Sequence, residues 1–108
     1  MNYRTFGRMR WKISEIGHGM WGMGGWTGSV DDESLSALQR SVELGVNFFD
    51  TAWAYGEGHS ERLLGKLIRN NPDSWIFTST KIPPKNGKWP MEPSYTLDET
   101  FPPEHRPR

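Results

Sequence analysis

The sequence predicts an α/β fold: a β-hairpin, then strand, helix, strand, helix and strand, then an irregular proline-rich tail. Three observations carry that expectation. Short apolar runs alternate with two longer segments whose apolar residues recur at helical spacing. Glycines, and an Asn70-Asn71-Pro72 stop, separate those segments. Seven of the eight prolines lie between Ile82 and Arg108. Strands alternating with helices imply right-handed crossovers and a parallel sheet.

In chain order, Tyr3-Arg4-Thr5-Phe6 and Trp11-Lys12-Ile13 flank Gly7-Arg8-Met9-Arg10 and read as the hairpin. Ser14 to Gly19 reads as a strand running into glycines. Met20 to Gly28, with Gly22, Gly24, Gly25 and Gly28 between Trp21 and Trp26, reads as an aromatic loop. A helix follows, capped by Ser29, Asp31 or Asp32, with acids at the positive end of its dipole. Leu35, Leu38 and Val42 form its buried face, and Gly45 stops it. Val46 to Phe49 is the next strand. The second helix starts near Ser60, with Leu63, Leu64, Leu67 and Ile68 as its apolar stripe. Trp75 to Lys81 is the last strand. The boundary between the folded part and the tail is placed at residue 85, with residues 86–108 irregular. Within that tail, Thr100 to His105 resembles a helix start.

Composition narrows the function classes. The 108 residues carry 13 basic and 13 acidic side chains, so no net charge argues for a nucleic acid or an anionic membrane. There is no cysteine and hence no disulfide framework. Mean hydropathy is −0.74, and the longest unbroken apolar run is Ala52 to Tyr55, far short of the roughly 20 residues a membrane span needs. A cytoplasmic protein is expected. The six tryptophans are many for so polar a chain and need large surfaces to pack against. His18, His59 and His105 are scattered without cysteines or clustered acids, which does not suggest a metal site.

One constellation carries chemistry. Asp50 and Lys81 each fall where a strand ends, on consecutive parallel strands about 4.8 Å apart, so the two charges can pair. Tyr55, five residues after Asp50, shares that rim, and in α/β folds the rim is where chemistry is done. An ammonium beside a phenol favours the phenolate, which makes the phenol a better proton donor near neutral pH. A positioned acid of this kind contributes roughly 10²–10⁴ in rate. Spacing alone leaves it equally open that all three are merely solvated rim residues. Gly56-Glu57-Gly58-His59-Ser60 superficially has the look of a phosphate loop, but it lacks the third glycine, and Glu57 and Glu61 would repel a phosphate. Trp21, Trp26 and Trp53 either wall a substrate cleft or pack within the loops.

The same residues resemble a known family. Asp50-Thr51-Ala52, Tyr55-Gly56-x-Gly58-x-Ser60-Glu61 and Leu64-Gly65 are similar to the signature of the aldo-keto reductases. Arg4 to Gly7, Ser14 to Gly19 and Thr78-Ser79-Thr80-Lys81 resemble that family's opening hairpin, first strand and lysine-bearing strand. The resemblance implies the N-terminal portion of a (β/α)8 TIM barrel that transfers hydride between NADP(H) and a small carbonyl or alcohol. It implies Tyr55 as general acid or base, Lys81 as the group that tunes it, and Asp50 as the partner of Lys81. It places the Gly19-Met20-Trp21 backbone and Asp50 near the nicotinamide. Trp21 and Trp53 are the indoles assigned to substrate.

The family's histidine, at the end of the following strand, has no counterpart here. A complete barrel takes about 250 residues, so the chain is expected to be an N-terminal fragment, with an open sheet edge and with Phe48, Ile76 and Phe77 short of packing partners. Alone, it is expected to be marginally folded and catalytically silent. Two other readings are a non-catalytic regulatory subunit built on the same fold and a small α/β interaction module.

Overall fold

The computed structural model describes residues 1–83. The expected proline-rich tail and the helix start at Thr100 to His105 lie outside the described residues. Strands β1 (Tyr3–Phe6) and β2 (Trp11–Ser14) form an antiparallel hairpin, with Tyr3 opposite Ser14 and Phe6 opposite Trp11. The remaining elements are β3 (His18–Gly19), a 3-10 turn at Trp21–Met23, α1 (Asp31–Glu43), β4 (Phe48–Asp50), α2 (His59–Asn70) and β5 (Phe77–Ser79). Strands β3, β4 and β5 are parallel neighbours in that order. The expected β-α-β-α-β series is present, and among the described residues the sheet stays open rather than closing into a barrel.

The strands are shorter than the apolar pattern suggests. The segment from Ser14 to Gly19 does not run as one strand. Ser14 ends the hairpin, where its N–H donates to Asn47 Oδ1 at 2.8 Å and its hydroxyl to the Ile16 carbonyl at 2.7 Å. The local bond from the Ser14 hydroxyl to Ile16 bends the chain before β3 begins, an alternative that serine readily offers the backbone. Trp75 is 81% exposed and precedes β5 rather than belonging to it.

Helix α1 begins without a side-chain cap. Its N-cap position is Val30, not Ser29, Asp31 or Asp32. Ser29 is turned away to donate to the Gly22 carbonyl, and Asp31 is held by His59. The three acids of its first turn still suit the helix dipole. At the other end Gly45 takes φ +93°, the left-handed geometry that glycine adopts without penalty. Leu38 is fully buried, and Leu35 and Val42 pack partly buried beside it.

In α2, Leu63, Leu64 and Leu67 are buried, whereas Ile68 is 40% exposed and falls off the stripe. At 100° per residue, positions 63, 64 and 67 cluster on one face while 68 turns toward its edge. These leucines join Met20, Met23, Leu38, Val46 and Phe49 in a single core between the sheet and the two helices. Each fully buried Leu or Phe contributes about 1.5–3 kcal/mol over an exposed one.

The hairpin docks at the start of the strands. Asn47, just before β4, donates from Nδ2 to the Lys12 carbonyl at 2.9 Å, and Tyr3 Oη donates to the Gly45 carbonyl at 2.9 Å. Trp11 stacks on Phe77, the first residue of β5, at 5.0 Å. The opposite end of the sheet, where β3 and β4 finish at Gly19 and Asp50, is left clear of the hairpin and carries the candidate site.

Candidate active site

The turn after β4 is built by its own backbone. Tyr55 N–H donates to the Ala52 carbonyl at 3.1 Å, Gly58 N–H to Trp53 at 2.7 Å, and Ser60 N–H to Tyr55 at 3.2 Å. Gly56, at φ +70°, makes the turn possible in two ways. Its backbone is left-handed, and a Cβ there would collide with the Gly24 carbonyl. A glycine therefore lets this loop lie directly against the glycine-rich loop after β3. Across that contact Trp26 meets the Tyr55 ring edge-on, with centroids 6.0 Å apart and planes at 89°, a favoured aromatic geometry. Trp21 packs on Trp26 at 5.6 Å.

The charges converge as the strand spacing predicts. Lys81 Nζ donates to Asp50 Oδ2 at 2.7 Å and to the Thr51 carbonyl at 2.8 Å. Ser79 Oγ donates to Asp50 Oδ1 at 2.9 Å, so both carboxylate oxygens are engaged. The same ammonium lies 5.3 Å from the centre of the Tyr55 ring. Partial burial works to raise the Asp50 pKa, but the hydrogen bonds from Lys81 and Ser79 and the Lys81 charge hold it below the ordinary carboxylate value. The Asp50 hydrogen bond leads the causes that raise the Lys81 pKa. Partial desolvation opposes it, and the Asp50 charge and the Tyr55 side chain add to it.

The other expected site residues separate. Gly19 pairs with Asp50 across the sheet, and a Cβ built on it would meet nothing within 4 Å. Met20 turns inward: its side chain is fully buried, its N–H donates to the Asp50 carbonyl at 2.9 Å, and its carbonyl accepts from Ser60 Oγ at 3.2 Å. Trp21 is exposed beside the rim. Trp53 lines a surface depression with Glu57, Glu61, Arg62 and Lys66 that none of Asp50, Tyr55 or Lys81 borders. The indole that touches Tyr55 is Trp26. His59 Nε2 meets Asp31 Oδ1 at 2.7 Å, which ties the starts of α1 and α2 together. His18 stacks on Phe49 at 5.8 Å in the sheet. Among the described residues no cluster of three or more metal-ligating side chains occurs, and no helix is long and apolar enough to cross a membrane.

Sequence reasoning passed over three hydroxyls. Ser60 looks like a helix-opening residue, yet it is wholly buried and its Oγ lies 2.8 Å from Thr51 Oγ1. Thr51 and Ser79 stand in the motifs that carry the family resemblance but are given no role there. The signal for all three is their membership of those motifs, with Thr51 and Ser79 close to the charged residues.

Comparison with known proteins bears on this arrangement. The model of the Aldo/keto reductase family matches residues 15–100. A chloroplastic pyridoxal reductase of Arabidopsis thaliana is 41% identical over 68 residues, covering 55% of this chain and 19% of that protein. A probable voltage-gated potassium channel subunit beta of Oryza sativa is 34% identical over 86 residues, covering 76% and 25%. The holo form of aldo-keto reductase AKR11C1 from Bacillus halodurans superposes with a TM-score of 0.67 at 27% identity, over 82% of this chain and 29% of that one. The structural neighbours are TIM barrels. The chain thus spans about a fifth to a quarter of the curated relatives it matches. The family match over most of the sequence, the shared fold and the Asp50 and Lys81 pairing at the strand ends agree: this chain belongs to the aldo/keto reductase family.

Proposed function

We propose that residues 1–83 supply the proton-transfer end of an NADP(H)-dependent carbonyl reductase, with Tyr55 as general acid or base, Lys81 as the cation that tunes it and Asp50 as the anchor of Lys81. The observation that carries this reading is the double placement of one ammonium: Lys81 Nζ is 2.7 Å from Asp50 Oδ2 and 5.3 Å from the Tyr55 ring centre. An ammonium has three protons to donate. Two are committed to Asp50 and Thr51, which fixes the nitrogen on the strand side and leaves the third for the phenol side.

The residues present fit a flat nicotinamide ring at its reacting end. Open space stands at Gly19, directly across the sheet from Asp50, and Trp21 is exposed next to it. A bound nicotinamide would supply the hydride. The chain's own part is to hold a small carbonyl oxygen against the Tyr55 hydroxyl, to lend it a proton as negative charge develops, and to keep the positive charge of Lys81 beside the phenol while it does so. Trp26, edge-on to Tyr55, limits the rotamers open to the phenol and shields one side of it from water. The cytoplasm is the proposed location.

The test is a chimera in which residues 15–83 replace the matching part of the Bacillus halodurans barrel. NADPH oxidation with a panel of small aldehydes is expected, along with a loss of roughly 10²–10⁴ in kcat on Lys81→Met. The 108-residue chain on its own is expected to be silent, and turnover by it would contradict that part of the reading.

A second reading keeps the fold and drops the reaction. A channel subunit beta stands among the relatives, so the segment could serve a binding subunit. An intact set of Asp50, Tyr55 and Lys81 favours chemistry, and a folded chimera that binds NADPH without turnover would favour the subunit.

A further inference from the structure

We infer that Ser60 is a positioning residue: its buried hydroxyl, with Thr51, sets where Lys81 stands relative to Tyr55. This rests on the reading of Asp50, Tyr55 and Lys81 as the proton-transfer set. Ser60 is wholly buried in the first turn of α2. Its Oγ donates to the Met20 carbonyl at 3.2 Å and lies 2.8 Å from Thr51 Oγ1. A serine hydroxyl has one proton. With that proton given to Met20, the Thr51 hydroxyl donates to Ser60.

The bonds then form a closed circuit. Lys81 Nζ donates to the Thr51 carbonyl, Thr51 Oγ1 to Ser60 Oγ, Ser60 Oγ to the Met20 carbonyl, and Met20 N–H to the Asp50 carbonyl. The Asp50 carboxylate returns to Lys81. The Ser60 N–H, meanwhile, donates to the Tyr55 carbonyl at 3.2 Å. One residue thus holds the backbone of Tyr55 through its amide and, through its hydroxyl, the side chain of Thr51, the residue whose carbonyl receives Lys81. The loop after β3, the end of β4 and the start of α2 meet at this hydroxyl and nowhere else in the circuit. The Thr51, Ser60 and Met20 part of this circuit is buried, where a polar member left without its partner is costly.

A merely structural serine would lower stability when removed and leave Lys81 chemistry alone. A positioning serine changes the environment of Lys81 specifically. The experiment is the rate at which each lysine of the full chain is acetylated at fixed pH, read peptide by peptide by mass spectrometry, for the wild type, Ser60→Ala and Thr51→Val. Thr51→Val keeps the shape and the backbone carbonyl that Lys81 uses. Lys12, tied to Thr5 Oγ1 at 2.8 Å in the hairpin, reports general loosening. The expected result is a rise of about threefold or more at Lys81 in both variants, as its ties slacken and its free-amine fraction grows, with Lys12 unchanged. Overturning results are an unchanged rate at Lys81, or an equal rise at Lys12 and Lys81. The readout does not involve turnover, so a failure of the carbonyl-reductase reading leaves it standing or falling by itself.

Discussion

Asp50 is the last residue of β4 and Lys81 lies two residues beyond the end of β5, not within it, with Nζ and Oδ2 2.7 Å apart and the pair half exposed. Its stability is bounded on both sides in pH. The Asp50 pKa is lowered on folding, so its contribution is present above the unfolded value of about 4 and is lost as pH falls through the folded one. The Lys81 pKa is raised, so its contribution is present below the unfolded value of about 10.4 and is lost as pH rises through the folded one. Solvent screening limits the pair to less than about 1 kcal/mol. Urea midpoints for the wild type and Asp50→Asn are expected to differ most between about pH 5 and pH 10 and to converge in acid.

Gly56→Ala is expected to be costly. The residue would sit at φ +70° with its methyl against the Gly24 carbonyl. Left-handed backbone alone costs about 1–2 kcal/mol for a non-glycine residue, and the clash adds to it. A loss of at least about 2 kcal/mol in denaturant unfolding is predicted, with a change in tryptophan fluorescence as Tyr55 and Trp26 part.

Glu57 is a non-glycine residue at φ +51°, and no hydrogen bond of its side chain compensates for the strain among the described residues. Asparagine tolerates that region better. Glu57→Asn is therefore expected to raise stability by about 0.5 kcal/mol, measured by the shift in urea midpoint.

His18 titrates below the ordinary histidine value because burial disfavours its charged form. Ser41 gives its hydroxyl proton to the Ala37 carbonyl, so His18 Nδ1 carries a proton and donates to Ser41 Oγ at 2.8 Å. The unfolded chain takes up the second ring proton, which charges the imidazole, more readily than the folded one, so this contribution to stability is present above about pH 6.5 and falls as pH drops below it. An NMR titration is expected to put the His18 midpoint below about 6.5, and His18→Gln to flatten this part of the stability profile.

The hairpin, both helices and the parallel order of the strands follow from periodicity and glycine stops, because those signals are local. Asp50 and Lys81 could be paired in advance since sheet geometry fixes the distance between neighbouring strand ends. Other features depend on tertiary neighbours and escaped. Ser60 has the chemistry of a helix cap, but burial against Met20 and Thr51 gives its hydroxyl different partners. Ser29 likewise forgoes capping α1 for the Gly22 carbonyl. The choice of Trp26 rather than Trp53 as the neighbour of Tyr55 turns on two glycine-rich loops meeting at Gly24 and Gly56, which no spacing encodes.

The most direct measurement is single-turnover reduction of an aldehyde by the chimera carrying residues 15–83, compared with its Tyr55→Phe variant, with NADPH binding followed separately. A fall of roughly 10²–10⁴ in the chemical step with nucleotide affinity unchanged is predicted. Equal rates with and without the Tyr55 hydroxyl would contradict its role as proton donor.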